Sequence, residues 1–129
     1  MSSSVEPPPA DDIPEDTVRS ETGRALSREQ IFEVLSNRRR RYVLHYLKQL
    51  DDGQSTTLSE IATHVAAWER DESVDGVSYD DRKSVQTSLY QLHLPKLSDC
   101  GLIDYDRRAG VIERTERMEA VEMYLEAVS

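Results

Sequence analysis

The chain has 129 residues, 37% of them hydrophobic, and 25 acidic against 16 basic residues leave a net charge of −9. That length fits one small domain with tails, and no apolar run approaches the roughly 20 residues that span a bilayer. A single cysteine, Cys100, excludes a disulfide framework. His45, His64 and His93 are scattered, with no histidine or carboxylate at i+3 or i+4, so no metal site is expected.

The charge is unevenly spread. Residues 1–25 hold six acids and two arginines, residues 116–129 hold four acids and one arginine, and the stretch between, with 15 acids and 13 bases, is nearly neutral. Only Lys48, Lys83 and Lys96 of the 16 bases are lysine. An acidic, lysine-poor surface suits multimolar salt, where the Debye length of about 3 Å or less screens long-range repulsion from a polyanion. Net acidity therefore does not exclude nucleic acid as a partner.

Residues 1–24 combine Pro7-Pro8-Pro9, acids and serines with few apolar groups, and are expected to form a disordered tail. The start, MSSSVEPPPADD, has neither a basic nor an apolar region of a signal peptide, so a cytoplasmic location is expected.

Ser27, with Gln30 three residues on, makes a capping box that opens a helix carrying Ile31, Val34 and Leu35, with Phe32 beside them. Asn37 opens the next helix, RRRRYVLHYLKQL, where Val43, Leu44, Leu47 and Leu50 recur at helical spacing until Asp51-Asp52-Gly53. Arg38 to Arg41 cover every direction around that helix and cannot all meet one partner. The run therefore reads as structural, with some members expected to pair with acids such as Glu29 and Glu33. Thr56-Thr57-Leu58 is expected as a short strand. Ser59 is expected to cap a third helix, with Ile61, Ala62, Val65 and Trp68 inward, and residues 71–78 to form a polar loop.

The fourth helix is expected from Asp80-Asp81, whose acids favour a helix N-terminus, to about Ser98, with a kink or restart at Pro95. At about 100° per residue, Val85, Leu89 and Leu92 share one side and Tyr90, Leu94 and Leu97 the adjoining arc. Ser84, Thr87, Ser88 and Gln91 fill the remaining arc, which is charge-poor and carries no acid beyond Asp80 and Asp81 at its start. Short hydroxyls and amides of this kind contact bases and phosphates in the major groove. They equally suit an ordinary solvated face.

After Gly101 come two expected strands, Leu102 to Tyr105 and Val111 to Arg114, joined by the turn Arg107-Arg108-Ala109-Gly110. Helix, glycine stop and a hairpin with arginines at its tip predict a winged helix-turn-helix, mainly α with a small β-hairpin, over residues 25–115. Arg107 and Arg108 would then reach a phosphate or the minor groove, and Arg82 and Lys83 would pin the reading helix to the backbone. Cys100, beneath this hairpin, reads as a small buried residue. Residues 116–129 are expected as an amphipathic helix in which Met118, Val121, Leu125 and Val128 follow 3-4-3 spacing. That seam either packs within the chain or joins two copies. A homodimer is the preferred reading, because DNA half-sites usually demand two reading heads.

LSNRRRRYVLHYL, TTLSEIATHVAAWE and SLYQLHLPKLSDCGLIDYD resemble a widespread family of haloarchaeal winged-helix domains over Leu26 to Arg114. More distantly, HLPKLSDCGLI is similar to the end of the recognition helix in ArsR- and MarR-type regulators. The resemblance implies a transcription-related role in a halophilic archaeon and the same reading helix. It departs from those regulators in two respects: the connection from Trp68 to Asp80 is long for a helix-turn-helix, and their metal ligands are absent.

The expected function is a dimeric, double-stranded-DNA-binding regulator without a cofactor. The alternative is a winged-helix module that meets another protein of the transcription machinery. No nucleophile–base pair, phosphate loop or pair of carboxylates in a cleft can be picked out, so catalysis is not expected.

Overall fold

A computed structural model describes residues 26–128. The tail expected to be disordered, 1–24, and the last residue of the expected C-terminal helix lie outside them. The described chain is mainly helical with one small antiparallel sheet. In order come α1 (Arg28–Leu35), α2 (Arg38–Lys48), β1 (Ser55–Thr57), α3 (Leu58–Arg70), a 3-10 turn (Val74–Gly76) and α4 (Tyr79–Ser88). A π-helical segment (Leu89–His93), α5 (Leu94–Asp99), β2 (Ile103–Asp106), β3 (Val111–Arg114) and α6 (Met118–Val128) complete it. No helix among the described residues is long and apolar enough to cross a membrane.

Side-chain caps set the helix starts. Ser27 Oγ accepts from the Gln30 amide at 3.1 Å while Gln30 Oε1 accepts from the Ser27 amide at 2.9 Å, the reciprocal pair expected of a capping box. Asn37 caps α2 through the Arg40 amide and Ser78 caps α4 through that of Asp81. For α3 the cap is Thr57, bonded to the Glu60 amide, and not Ser59. Thr57 is the last residue of β1, so its extended backbone already supplies the conformation a cap needs.

The arginine run after α1 serves that helix's other end. Arg40, 7% exposed, donates to the carbonyls of Glu33 and Val34 at 2.8 and 3.1 Å, and Arg41 donates to that of Leu35 at 2.6 Å. The carbonyls of Val34 and Leu35, and that of Glu33, which also accepts from the Ser36 amide and hydroxyl, are thus covered by cations, which the helix dipole also favours. Arg39 grips Glu69 of α3 with two bonds, at 2.5 and 2.7 Å. The run is structural, as expected, but its partners are backbone carbonyls and Glu69 rather than the carboxylates of Glu29 and Glu33.

The fourth helix, expected to kink or restart at Pro95, stays helical from Tyr79 to Asp99 and carries its irregularity upstream of that proline. Proline has no amide to donate, and the irregularity takes the form of the π segment, which widens one turn. Buried positions then run Val85, Leu89, Leu94 and Leu97, with a step of five between Leu89 and Leu94. Leu92 and Tyr90, expected on the apolar face, are instead 56% and 40% exposed, and His93 is buried in their stead. The 100° rule fails wherever one turn holds an extra residue.

α5 ends in a two-bond stop: the Gly101 amide donates to the Ser98 carbonyl and the Leu102 amide to that of Leu97. Gly101 takes φ +77, where a β-carbon would be strained and would lie 3.1 Å from the Arg117 side chain. Leu102 and Ile103 then enter the core. The sheet order is β1-β3-β2, both pairings antiparallel; the strand expected at 56–58 lies at 55–57, with Leu58 opening α3, and pairs with the hairpin.

α6 packs along α2, and Met118, Val121 and Leu125 are completely buried within this chain. The expected dimer seam is therefore spent on the chain's own core, which also holds Leu44, Leu47, Ile61, Leu89 and Leu97. Of the four seam residues only Val128 stays exposed, at 54%. The reason is competition: a small domain gains about 1.5–3 kcal/mol for each large side chain it buries internally. Arg114 ties β3 to this pair of helices, with ion pairs to Asp52 and Glu122 at 3.1 and 2.9 Å and a bond to the Leu50 carbonyl.

Candidate nucleic-acid interface

α3 and α4 form the most extensive helix–helix contact in the described chain, despite the long connection between them. The connection is closed by local devices. Asp71 ends α3 in the left-handed region, φ 55, the Glu72 amide donates back to the Ala67 carbonyl, and Arg70 pairs with Asp81 at 2.9 Å. Ser78 then starts α4.

Ser84, Thr87 and Gln91 are exposed and Ser88 is half-buried. The Thr87 hydroxyl donates to the Lys83 carbonyl at 3.0 Å, which leaves its oxygen lone pairs facing outward as acceptors. Gln91 lies in the π segment, so its position relative to Thr87 is not the one that regular helical spacing gives. No charged group stands on this arc after Lys83. Asp80, exposed at the helix start, is the acid that flanks it.

The cations assigned to this face divide into two kinds. Arg82 is engaged: it donates to Ser59 Oγ at 3.3 Å and Gln86 Oε1 at 3.4 Å, with its guanidinium 5.2 Å from the centre of the Tyr79 ring. It braces α4 against the first turn of α3. Lys83 is exposed and has no side-chain partner among the described residues.

The hairpin tip shows the same division. Asp106 Oδ1 accepts from the amides of Arg108 and Ala109, each at 3.1 Å, and Gly110, at φ +69, completes the turn. Arg107 does not point away from the domain. Its guanidinium sits 4.7 Å from the centre of the Tyr90 ring, so the hairpin leans on the π segment. Arg108 is exposed, and its side chain has no partner among the described residues. Beneath them the Tyr105 hydroxyl is buried without a hydrogen bond, and burial pushes its pKa up.

A family model matches residues 32–113, more than half of the chain. The chain belongs to the family described as a domain of unknown function, DUF7344. No curated protein and no solved structure matches it. The DUF7344 stretch begins inside α1 and closes in β3, so it contains Arg82, Lys83, Ser84, Thr87, Ser88, Gln91, Arg107 and Arg108 and leaves out α6.

Three contributors to the DUF7344 surface escaped the sequence reading. Ser59 receives Arg82, Tyr79 is 63% exposed under the same guanidinium, and Tyr90 holds the hairpin. Tyr79 was open to detection, as an aromatic directly after a serine cap. Tyr90 was not, because its exposure depends on the π segment.

Proposed function

We propose that this chain is a DNA-binding regulator of the winged helix-turn-helix kind, with α4 and the π segment as reading helix and β2–β3 as wing. The observation that carries this reading is the Arg107–Tyr90 contact, which joins the hairpin tip to the exposed, uncharged arc of the helix as one surface. On that surface Lys83 and Arg108, without partners among the described residues, are available to phosphates, while Thr87 and Gln91 are available to base edges. The element order α2, β1, α3, α4, hairpin supports the same reading, as does the sequence resemblance to haloarchaeal winged-helix domains and, distantly, to ArsR- and MarR-type regulators.

The chain acts as a homodimer in this reading, through a surface other than the expected seam. Phe32 on α1 and Met123 and Tyr124 on α6 are 54%, 68% and 38% exposed, and the rings of Phe32 and Tyr124 meet edge to face at 6.4 Å. A second reading, a protein-interaction module, draws on the exposed Leu92 and the acid at the helix start.

Binding of the full chain to a pool of genomic fragments in multimolar potassium chloride, with sequencing of the retained DNA, tests both. Enrichment of a short palindrome is expected. No enrichment by protein that circular dichroism shows to be folded would overturn the regulator and leave the protein-interaction module.

A further inference from the structure

Away from the reading helix, α2 borders a trough whose charge is opposite to that of the chain. Residues 36–50 contain five basic residues and no acid, in a chain of net charge −9, and three of the five, Arg38, Arg41 and Lys48, line the trough. One part of the trough, about 550 Å³, lies between Tyr42, His45 and Lys48 of α2 and Trp68 of α3. A second, about 250 Å³, shares Tyr42 and His45 and is bounded by Arg38, Arg41 and Val128. Together they follow α2 for three turns, about 16 Å.

Its lining defines what it can take. The Tyr42 and Trp68 rings lie 5.8 Å apart, tilted at 41°, and offer an aromatic wall. Arg38, 5.5 Å from the centre of the Tyr42 ring, leaves no room for an external cation there. Burial holds the His45 pKa below its ordinary value, and Lys48 and Arg41 add to that effect, so the imidazole is neutral and adds no charge. Lys48 meets Glu126 at 2.8 Å in an exposed pair, which costs little to exchange. An elongated trough of aromatic rings and cations fits an extended segment that combines proline with carboxylate: proline packs on aromatic walls, and the carboxylates meet Arg38 and Arg41, whose partners in the structure, the Tyr42 hydroxyl and the Leu35 carbonyl, are neutral.

We propose that this trough is the docking site of the chain's own residues 6–16. That stretch, EPPPADDIPED, holds five acids, four prolines and no base. The nine residues between it and Leu26 reach about 30 Å when extended, more than the radius of about 13 Å of a domain of 100 residues. Such a segment cannot repay its ordering entropy alone. A tether of this length supplies an effective concentration in the millimolar range, which lets weak contacts suffice. The docking stands apart from the DNA-binding reading, since it uses another face.

Trp68 is the single tryptophan of the chain and reports on the trough directly. Acrylamide quenching of its fluorescence is compared, in the full chain, between wild type, the quadruple variant D11N/D12N/E15Q/D16N, and Arg38→Gln. A red-shifted emission and a steeper quenching slope in both variants, with unchanged circular dichroism, are expected. The quadruple variant leaves the described domain untouched, so it stands alone if Arg38→Gln unfolds. Equal slopes in wild type and the quadruple variant overturn the proposal. Protection that appears only as protein concentration rises overturns it too, in favour of the segment of a second copy. So does equal quenching that falls in both proteins when an acidic, proline-containing peptide is added, which assigns the trough to another chain.

Discussion

Arg38–Arg41 and Arg107–Arg108 are the two places where arginines stand side by side, and they have opposite fates. The longer run, the densest basic stretch in the sequence, is the less available of the two. Arg40 is buried on α1 carbonyls, Arg41 covers a third, Arg39 is locked to Glu69, and Arg38 donates to the Tyr42 hydroxyl at 3.2 Å. The shorter pair stands on a turn that Asp106 and Gly110 form unaided, so the side chains are not needed to hold it. Charge density along a sequence is therefore a poor guide to charge offered to a partner. What matters is whether nearby backbone has carbonyls to cover, and the end of α1 has several while a hairpin tip has none.

The largest expected effect lies on the buried side. Arg40→Met keeps the aliphatic bulk and removes the donors to Glu33 and Val34. Hydrogen bonds to charged groups contribute about 1.5–3 kcal/mol each, and the Val34 carbonyl is left bare while that of Glu33 keeps Ser36, so a loss of about 3 kcal/mol is expected. Guanidinium midpoints at fixed salt read it out. A loss below about 1 kcal/mol, the size of an ordinary surface change, would erase the contrast between the two arginine groups.

Acid titration sharpens the same side. His93 is 3% exposed, 3.4 Å from Arg40, and burial with the charges of Arg40 and Arg39 lowers its pKa from 6.5 to about 4. In the folded state the ring stays neutral down to about pH 4, whereas in the unfolded chain it takes up a proton at about pH 6.5. Stability is therefore full above about pH 6.5, falls as pH drops toward 4, and levels off below. The share of this one ring is up to about 3 kcal/mol. His93→Gln keeps a polar group without a titration, and its denaturation midpoint is expected to fall less steeply between pH 6.5 and 4. The remaining slope belongs to groups such as His45, whose pKa is lowered as well. An unchanged slope would mean that burial beside Arg40 does not hold His93 neutral.

What the sequence could show follows the range of the interactions. The Ser27–Gln30 box, the glycine stop at Gly101 and a strand at Thr56-Thr57 rest on neighbours within a few residues or on a strong local propensity, and all three were legible, though the strand starts one residue earlier than expected and Leu58 belongs to α3. The π segment was not: Pro95 signals a disturbance, but nothing local says that it falls at Leu89–His93 and turns Leu92 outward. The fate of α6 was half legible. Spacing identifies Met118, Val121 and Leu125 as one apolar stripe, yet the same stripe serves a dimer or a core, and only the presence of α2 beside it decides. Of the expected interface, residue type and spacing located the exposed Ser84 and Thr87, while Gln91 is exposed at a position the π segment sets. The division of Arg82 from Lys83 and of Arg107 from Arg108 depends on contacts with Ser59 and Tyr90 that no spacing rule reports.

That last division carries the smallest expected effect and the finest test. If Arg107 is a strut on Tyr90, the two side chains are coupled, and a cation over an exposed ring is worth about 0.5–1 kcal/mol. Arg107→Met and Tyr90→Leu are then each expected to cost about that much stability, and the double variant no more than either alone. Arg108→Met, with no partner to lose, should leave stability within about 0.5 kcal/mol. On DNA the order reverses. Arg108→Met should lower affinity for all sequences alike and reduce the salt slope by about 0.9, the share of one phosphate. Arg107→Met should act only as far as it loosens the hairpin, and should change nothing further once Tyr90 is already leucine. Additive losses in the cycle would return Arg107 to the same class as Arg108, a second free cation at the tip, and the hairpin would then have to be held against the helix by the core residues beneath it alone.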